Sequence, residues 1–158
     1  MLQGSSKRLR SFKKNGKQSI GKTKGGWNTK LHLVSADAQT AVNLSLSAGN
    51  ANDAPEGRKL LASTENLDPE TAILMDKAYE DNETRETIEK LGYIPIVPPK
   101  INRKNPWEYD KEMYKKRNVV ERLFRKVKEF RRVFTRYDKL DSVFLGFVYL
   151  GLTCIMIK

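Results

Sequence analysis

The chain has 158 residues, of which 30 are Lys or Arg and 19 are Asp or Glu, so its formal net charge is +11. This length is sufficient for one domain with its own hydrophobic core. One cysteine and one histidine exclude an internal disulfide and a zinc site built from Cys and His ligands. The positive charge favours a polyanionic partner, either nucleic acid or an anionic membrane surface.

The charge is divided into three blocks along the chain. Residues 1–30 contain nine basic and no acidic residues, residues 31–98 contain five basic and twelve acidic residues, and residues 99–139 contain fifteen basic and six acidic residues. The polar, basic start predicts a flexible arm over residues 1–26, followed by one domain over residues 27–158. An acidic middle between two basic segments favours a carboxylate-bearing core that is held to a polyanion from both sides.

No membrane segment or secretory signal is expected. The N-terminus is polar and basic without an apolar stretch. The most apolar run, residues 143–157, is shorter than the roughly 20 residues that span a bilayer. This run therefore predicts a buried core helix.

The first predicted elements form a β-hairpin and a helix. Apolar and polar residues alternate over residues 27–34 and again over residues 41–48, with a short polar link between them. Such alternation is typical of half-buried strands, so the two runs predict an antiparallel hairpin. Gly49 and Asn50 end the second strand, and Asn52 or Asp53 is expected to cap a helix that runs to about Ser63.

The middle of the chain predicts a strand, a helix and a second strand. Residues 71–75 are an apolar run, typical of a central strand buried on both faces, and Asp76 follows its C-terminal end. A charged helix is expected over residues 82–91, and an edge strand over residues 93–97 because it contains Pro95. The proline-rich segment 98–110 is predicted to be a loop.

Two helices complete the chain. Apolar residues at spacings of three and four predict one long helix over residues 111–137. A second helix, capped by Asp141 or Ser142, is expected to run to the C-terminus. The element order β-β-α-β-α-β-α-α indicates an α/β fold, in which helices pack on a mixed sheet.

Four residues of the long helix fall on one face, within roughly 60° of one another: Tyr114, Arg117, Glu121 and Lys128. One interpretation is an ordinary solvated face with ion pairs at i,i+4. The other is that Glu121 converges with Asp76 at the end of the central strand, where ligand sites of α/β sheets are found. Two carboxylates would suit Mg²⁺ or Mn²⁺, and the neighbouring cations would suit phosphate. Paired divalent ions could then support in-line displacement at a phosphodiester.

The spacing of these four residues resembles a signature of bacterial insertion-sequence transposases of the DDE type. The run Tyr114-x2-Arg117-x3-Glu121-x6-Lys128 matches the family pattern Y-x2-R-x3-E-x6-K over fifteen positions. Residues 20–26 with Thr29 and Lys30 are similar to the basic Gly-Gly segment of the family. Residues 75–79 are similar to the segment that holds its second aspartate, and residues 130–139 to the stretch after its glutamate.

The resemblance implies a ribonuclease H-like catalytic domain over residues 27–158 that cuts and rejoins DNA at insertion-sequence ends with Mg²⁺ or Mn²⁺. It assigns Asp76 and Glu121 as the second and third acidic residues and metal ligands. Further residues would bind DNA: Tyr114, Arg117, Arg125, Lys128, Lys22, Lys24 and Lys30. The partners would be transposon ends and target DNA, together with a second copy or an upstream transposase fragment, and the location would be the bacterial cytoplasm and nucleoid.

The chain departs from the family pattern at the first acidic residue. In the family this aspartate lies on a strand before the Gly-Gly segment, whereas residues 1–30 hold no Asp or Glu. The first, central strand is therefore expected to be missing, and the chain is expected to be catalytically incomplete alone. Asp37 is a poor substitute because it falls in the predicted hairpin turn. Other interpretations are a non-catalytic DNA-binding remnant, a poorly folding pseudogene product, or an RNA-binding protein.

Overall fold

The computed structural model describes residues 16–65 and 67–158, and it shows a mixed α/β fold. The strands are β1 (Gly21–Thr23), β2 (Gly26–Ser35), β3 (Ala41–Ala48), β4 (Ala72–Leu74) and β5 (Ile94–Ile96). The helices are α1 (Asp53–Ala62), α2 (Asn82–Lys90), α3 (Lys111–Lys115), α4 (Asn118–Lys128), α5 (Arg131–Phe134) and α6 (Asp141–Ile157). The predicted α/β class is confirmed. No helix in these described ranges is long and apolar enough to cross a membrane.

Strands β1, β2 and β3 form an antiparallel sheet in this order. The predicted hairpin is confirmed, with Thr29 opposite Ala48 and Leu33 opposite Leu44. Its turn is stabilised by Asp37, which accepts hydrogen bonds from the amides of Gln39 and Thr40. The β1–β2 hairpin spans the predicted boundary between arm and domain at residue 26, and residues 1–15 of that arm lie outside the described residues.

Strands β4 and β5 form a separate parallel pair, which α2 connects. The segment 71–75 was expected to be a central strand buried on both faces, and this is wrong for the structure described. β4 is only half-buried along its length and pairs on one edge alone. The reason is tertiary, because within residues 16–65 and 67–158 no strand lies against its other edge.

The predicted helix over residues 111–137 is divided into α3, α4 and α5. Between α3 and α4 the chain stays helical but tightens, because the amides of Lys116 and Arg117 donate to carbonyls three residues earlier. At Phe130 the backbone becomes extended, with ψ of 109°. Phe130 packs against Gly151 of α6, where an added Cβ would lie 3.2 Å from the ring. The predicted helix is therefore interrupted at a residue that contacts α6.

Helix α6 provides the centre of the larger hydrophobic core. Its buried residues pack with Leu123 and Val127 of α4 against Leu31 and Leu33 of β2. The predicted cap is wrong: Leu140 precedes the helix without a side-chain cap, and Asp141 lies in the first turn. Asp141 instead binds Arg136 at 2.7 Å and accepts a hydrogen bond from the Ser19 amide at 2.8 Å. A smaller core lies under β4 and β5, around Ile88 and Val97.

Two of the strand edges that remain unpaired belong to β2 and β4. The Gly49 amide donates to the Asn28 carbonyl, so the even-numbered residues of β2 point their main-chain groups toward β3. The main-chain groups of Leu31 and Leu33 point away from β3. They do not pair with β1, because β1 pairs with β2 only as far as Asn28. In β4, Met75 donates to β5, and Ala72 and Leu74 therefore face away from it. In the described part of the chain, no strand pairs with either edge.

Candidate active site

Asp76 lies just past the end of β4, after Met75, as the sequence indicated. It is the N-cap of a 3₁₀ turn, Lys77–Tyr79, and one of its oxygens accepts a hydrogen bond from the Ala78 amide at 3.2 Å. The carboxylate is 54% exposed. The cap fixes the direction of the side chain and leaves the other oxygen available for a partner.

Arg117 brings Asp76 and Glu121 together. Its Nη1 lies 3.2 Å from Asp76 Oδ2, and its Nη2 lies 2.5 Å from Glu121 Oε1. Arg117 and Asp76 are 41 residues apart in sequence, so only the packing of α4 near the end of β4 can produce this cluster. One guanidinium therefore partly neutralises two exposed acids, which would otherwise repel each other.

Tyr114 lies beside the same guanidinium. The Arg117 Cζ is 5.5 Å from the centre of the Tyr114 ring, and the Tyr109 ring meets Tyr114 edge to face at 5.7 Å. Burial raises the pKa of the Tyr114 hydroxyl, and the positive charge of Arg117 opposes this shift. Tyr114 is therefore a protonated donor at neutral pH, next to the pair of carboxylates.

Lys128, the fourth residue of the motif, lies at a cleft of about 380 Å³ between β2 and the helices. The cleft is lined by residues from both faces of β2, including Leu31 and His32, so it follows the edge of the strand rather than one face. Lys30 also lines it but is ion-paired with Asp53 at 2.6 Å. Of the two lysines, only Lys128 has no ion-pair partner in the described residues.

A buried polar network at this cleft was not identified from the sequence. His32 is 2% exposed, and its ring nitrogens lie 2.8 Å from the Tyr79 hydroxyl and 2.8 Å from Ser47 Oγ. Burial lowers the pKa of His32 and raises the pKa of Tyr79 to about 12. The network connects β2 and β3 to the turn that follows β4, across the gap between the sheets. The only sequence signal was a histidine on the polar face of a predicted strand.

The remaining predicted DNA contacts are free cations on the surface. Lys22, Lys24 and Arg125 are exposed, and they form no ion pair with any residue in 16–65 or 67–158. Such side chains can neutralise phosphates without breaking an internal contact. Lys30 differs from them, because binding of a phosphate would compete with its Asp53 pair.

Trp107 has a structural environment. Its Nε1 donates to the Val97 carbonyl at 2.8 Å, and the guanidinium groups of Arg85 and Arg103 lie over its ring at 4.3 and 4.1 Å. Arg103 also pairs at 2.5 Å with Glu80, whose side chain is almost completely buried. These contacts attach the loop after β5 to the smaller core.

The carboxylate pair has ligand chemistry that suits a divalent metal ion, and no third carboxylate joins it within the described residues. Oxygen ligands from Asp76 and Glu121 suit Mg²⁺ or Mn²⁺. The residues that the structure describes contain no group of three His, Cys, Asp or Glu side chains that could hold a metal ion. Asp37 is engaged in its turn, and the amides of Gln39 and Thr40 hold the pKa of its carboxyl below the usual value.

Comparison with known proteins gives the family. The model for the transposase DDE domain matches residues 4–157. The putative transposase for insertion sequence element IS6501 of Brucella ovis is 26% identical over 134 residues, which cover 82% of this chain and 98% of that protein. No solved structure matches the chain significantly. Domains of this family generally use divalent metal ions, and transposases act on DNA. The chain belongs to the transposase DDE domain family.

Proposed function

We propose that this chain is a ribonuclease H-like transposase catalytic domain that processes phosphodiester bonds at insertion-sequence ends. Asp76 and Glu121 are its metal ligands, with Mg²⁺ or Mn²⁺ as the ion. Tyr114, Arg117, Arg125, Lys128, Lys22, Lys24 and Lys30 contact DNA. The observation that carries the proposal is the Asp76–Arg117–Glu121 cluster, because residues distant in sequence and separately matched to the family motif meet through one guanidinium.

The chain's own residues have distinct tasks in this site. Arg117 holds the two carboxylates at one place until a metal cation competes with it for the carboxylates or a phosphate competes with the carboxylates for its guanidinium. Tyr114 and Lys128 offer a donor and a positive charge for non-bridging phosphate oxygens. When bound, a divalent ion would activate the attacking oxygen and stabilise the leaving oxygen.

The site needs a third carboxylate, and we propose that a strand inserted between the two sheets supplies it. The edges of β2 and β4 that no described strand joins have main-chain groups available for pairing. The cleft of about 380 Å³ along the β2 edge has space for side chains of such a strand. A strand here would pair with both sheets, and its C-terminal end would come close to Asp76. The strand would come from an N-terminal extension or from a separate upstream fragment.

A plasmid-nicking assay in Mn²⁺ tests the proposal. It compares this chain with the same chain fused at its N-terminus to a strand-forming peptide that carries one aspartate. We expect nicking by the fused chain only, lost in Asp76→Asn and Glu121→Gln but retained in Glu112→Gln. Glu112 is a matched control because it is an exposed carboxylate that pairs with Lys115 at i,i+3 on α3.

Two results would contradict parts of this proposal. Nicking by the unfused chain that disappears in Asp76→Ala would show that two carboxylates are sufficient. Absence of nicking by every fused chain, with DNA binding intact, would refute catalysis and favour the second candidate function.

The second candidate is a non-catalytic DNA-binding remnant that regulates transposition. The observation in its favour is that Arg117 already pairs with both carboxylates, while Lys22, Lys24 and Arg125 form no ion pair within the described residues. This candidate predicts DNA binding that is unchanged by Asp76→Asn and Glu121→Gln and that weakens steeply with salt.

A further inference from the structure

We infer that the β1–β2 hairpin, residues 21–28, is a binding site for unpaired DNA bases, in which Trp27 stacks on a base and Lys22 and Lys24 contact the neighbouring phosphates. This inference rests on the proposed function, because it takes DNA as the partner. It adds a base-contacting surface that the family motif and the carboxylate cluster do not include.

Trp27 is unusual in having no structural role in the described chain. The residue is 71% exposed, and no described side chain hydrogen-bonds to its indole nitrogen or stacks on its ring. The other tryptophan, Trp107, uses both its nitrogen and its ring in internal contacts. An exposed indole keeps a flat apolar face and a free N–H donor, which are the groups that stack on a base and bind its edge.

The hairpin fixes the backbone position of Trp27. Thr23 Oγ1 donates to the Gly26 carbonyl at 3.1 Å and accepts from the Asn28 side chain at 3.2 Å. At its base, Gly21 is buried, and a Cβ there would collide with Gly49 and Asn50. Stacking on a rigid platform costs less conformational entropy than stacking on a mobile arm.

The charges around Trp27 select a nucleic acid rather than an apolar partner. Lys22 lies directly opposite Trp27 in the register, so the two side chains share one face of the hairpin. Lys24 is in the turn, and neither lysine has an ion-pair partner in the described residues. An aromatic ring between free lysines is the arrangement by which proteins bind single strands without sequence preference. Free single-stranded DNA and unpaired bases at a DNA end share this chemistry.

Binding of a twelve-residue oligothymidylate, followed by tryptophan fluorescence, tests the inference. We expect quenching in the wild-type chain that disappears in Trp27→Phe, while the affinity of this variant stays close to that of wild type because phenylalanine still stacks. Trp27→Ala should lose about 5- to 150-fold in affinity, the range for removal of one base stack. Ile101→Ala is the matched control, since Ile101 is 94% exposed on a different basic loop, and it should bind as wild type.

A second probe separates a free strand from a DNA end. A blunt duplex and the same duplex with a three-base overhang are compared, and we expect Trp27→Ala to weaken binding of the overhang duplex much more than the blunt one. If Trp27→Ala lowers the affinity for both duplexes equally, the assignment to unpaired bases is overturned. A Trp27→Ala variant that binds oligothymidylate as tightly as wild type, or quenching that persists in Trp27→Phe, would also overturn it.

These outcomes are distinct from failure of the proposed function. A wild-type chain that binds neither duplex nor single strand would contradict DNA as the partner and remove both proposals. The chain fused to the aspartate strand could nick plasmid while Trp27→Ala leaves the affinity for oligothymidylate and for the overhang duplex unchanged. This result would refute the hairpin site alone.

Discussion

Replacement of His32 by leucine tests the buried network that connects the two sheets. The variant loses hydrogen bonds of 2.8 Å to Tyr79 and of 2.8 Å to Ser47. Each such bond contributes about 0.5–1.5 kcal/mol, and leaving Ser47 buried without a partner adds about 1–3 kcal/mol. Water can partly replace the hydrogen bond that the Tyr79 hydroxyl loses, and this reduces the total loss of stabilising free energy. We expect His32→Leu to lower the free energy of unfolding by about 2–4 kcal/mol at pH 7.5, measured by urea denaturation.

The pH dependence gives a sharper test, because His32 is the only histidine in the chain. Burial lowers its pKa below the ordinary value of 6.5, so the unfolded chain binds a proton more readily than the folded chain. The stabilisation is therefore complete above pH 6.5 and is lost as the pH falls from 6.5 toward the folded pKa. The free energy of unfolding therefore changes by at most about 1.4 kcal/mol per pH unit from the titration of this one group.

The measurement is a series of urea denaturation curves from pH 7.5 to 5.5 for wild type, His32→Leu and Tyr79→Phe. The free energy of unfolding of the wild type should fall on acidification. That of His32→Leu should fall much less over the same pH range. Tyr79→Phe is the control, because it removes one hydrogen bond but leaves the histidine to titrate. Identical pH profiles for wild type and His32→Leu would refute the assignment of a buried, neutral histidine.

Two further pairs of substitutions test packing and a buried charge. Gly57→Ala in α1 should destabilise the fold by about 1–3 kcal/mol, because its Cβ would lie 2.5 Å from the Tyr79 ring. Gly146→Ala in α6, with no atom within 4 Å, should instead stabilise by about 0.5–1 kcal/mol, and equal effects in thermal denaturation would contradict this steric argument. Glu80→Gln should lower the free energy of unfolding by about 1.5–3 kcal/mol, since the charge-assisted bonds of a buried carboxylate are lost. Glu112→Gln, in an exposed pair, should change it by less than about 1 kcal/mol, and a comparable loss in both variants would refute the role of burial.

The sequence predicted the local elements well where periodicity and turn chemistry agree. The alternating segments became β2 and β3, and Asn52 is the cap that begins α1. These features are determined by interactions between residues close in sequence, which the pattern of side chains records directly. The same is true of Asp76, whose position follows from the end of an apolar run.

The sequence could not predict features that depend on contacts between distant elements. The predicted long helix is interrupted at Phe130, whose ring packs against Gly151 on α6, and no helical propensity signals this contact. The segment around β4 was predicted to be central because it is apolar, yet burial on both faces requires neighbours that local sequence does not specify. His32 shows the same limit, since its partners Ser47 and Tyr79 lie on other elements.

The candidate site divides in the same way. The sequence by itself determined the residue types and spacing of Tyr114, Arg117, Glu121 and Lys128, although the structure distributes them over α3, the N-cap of α4 and α4 itself. Only the tertiary structure decided that Arg117 reaches Asp76, since that contact depends on how α4 packs beside the end of β4. The separation of the two sheets is also a tertiary property, because strand pairing joins main-chain groups whose partners are set by topology rather than by side-chain pattern.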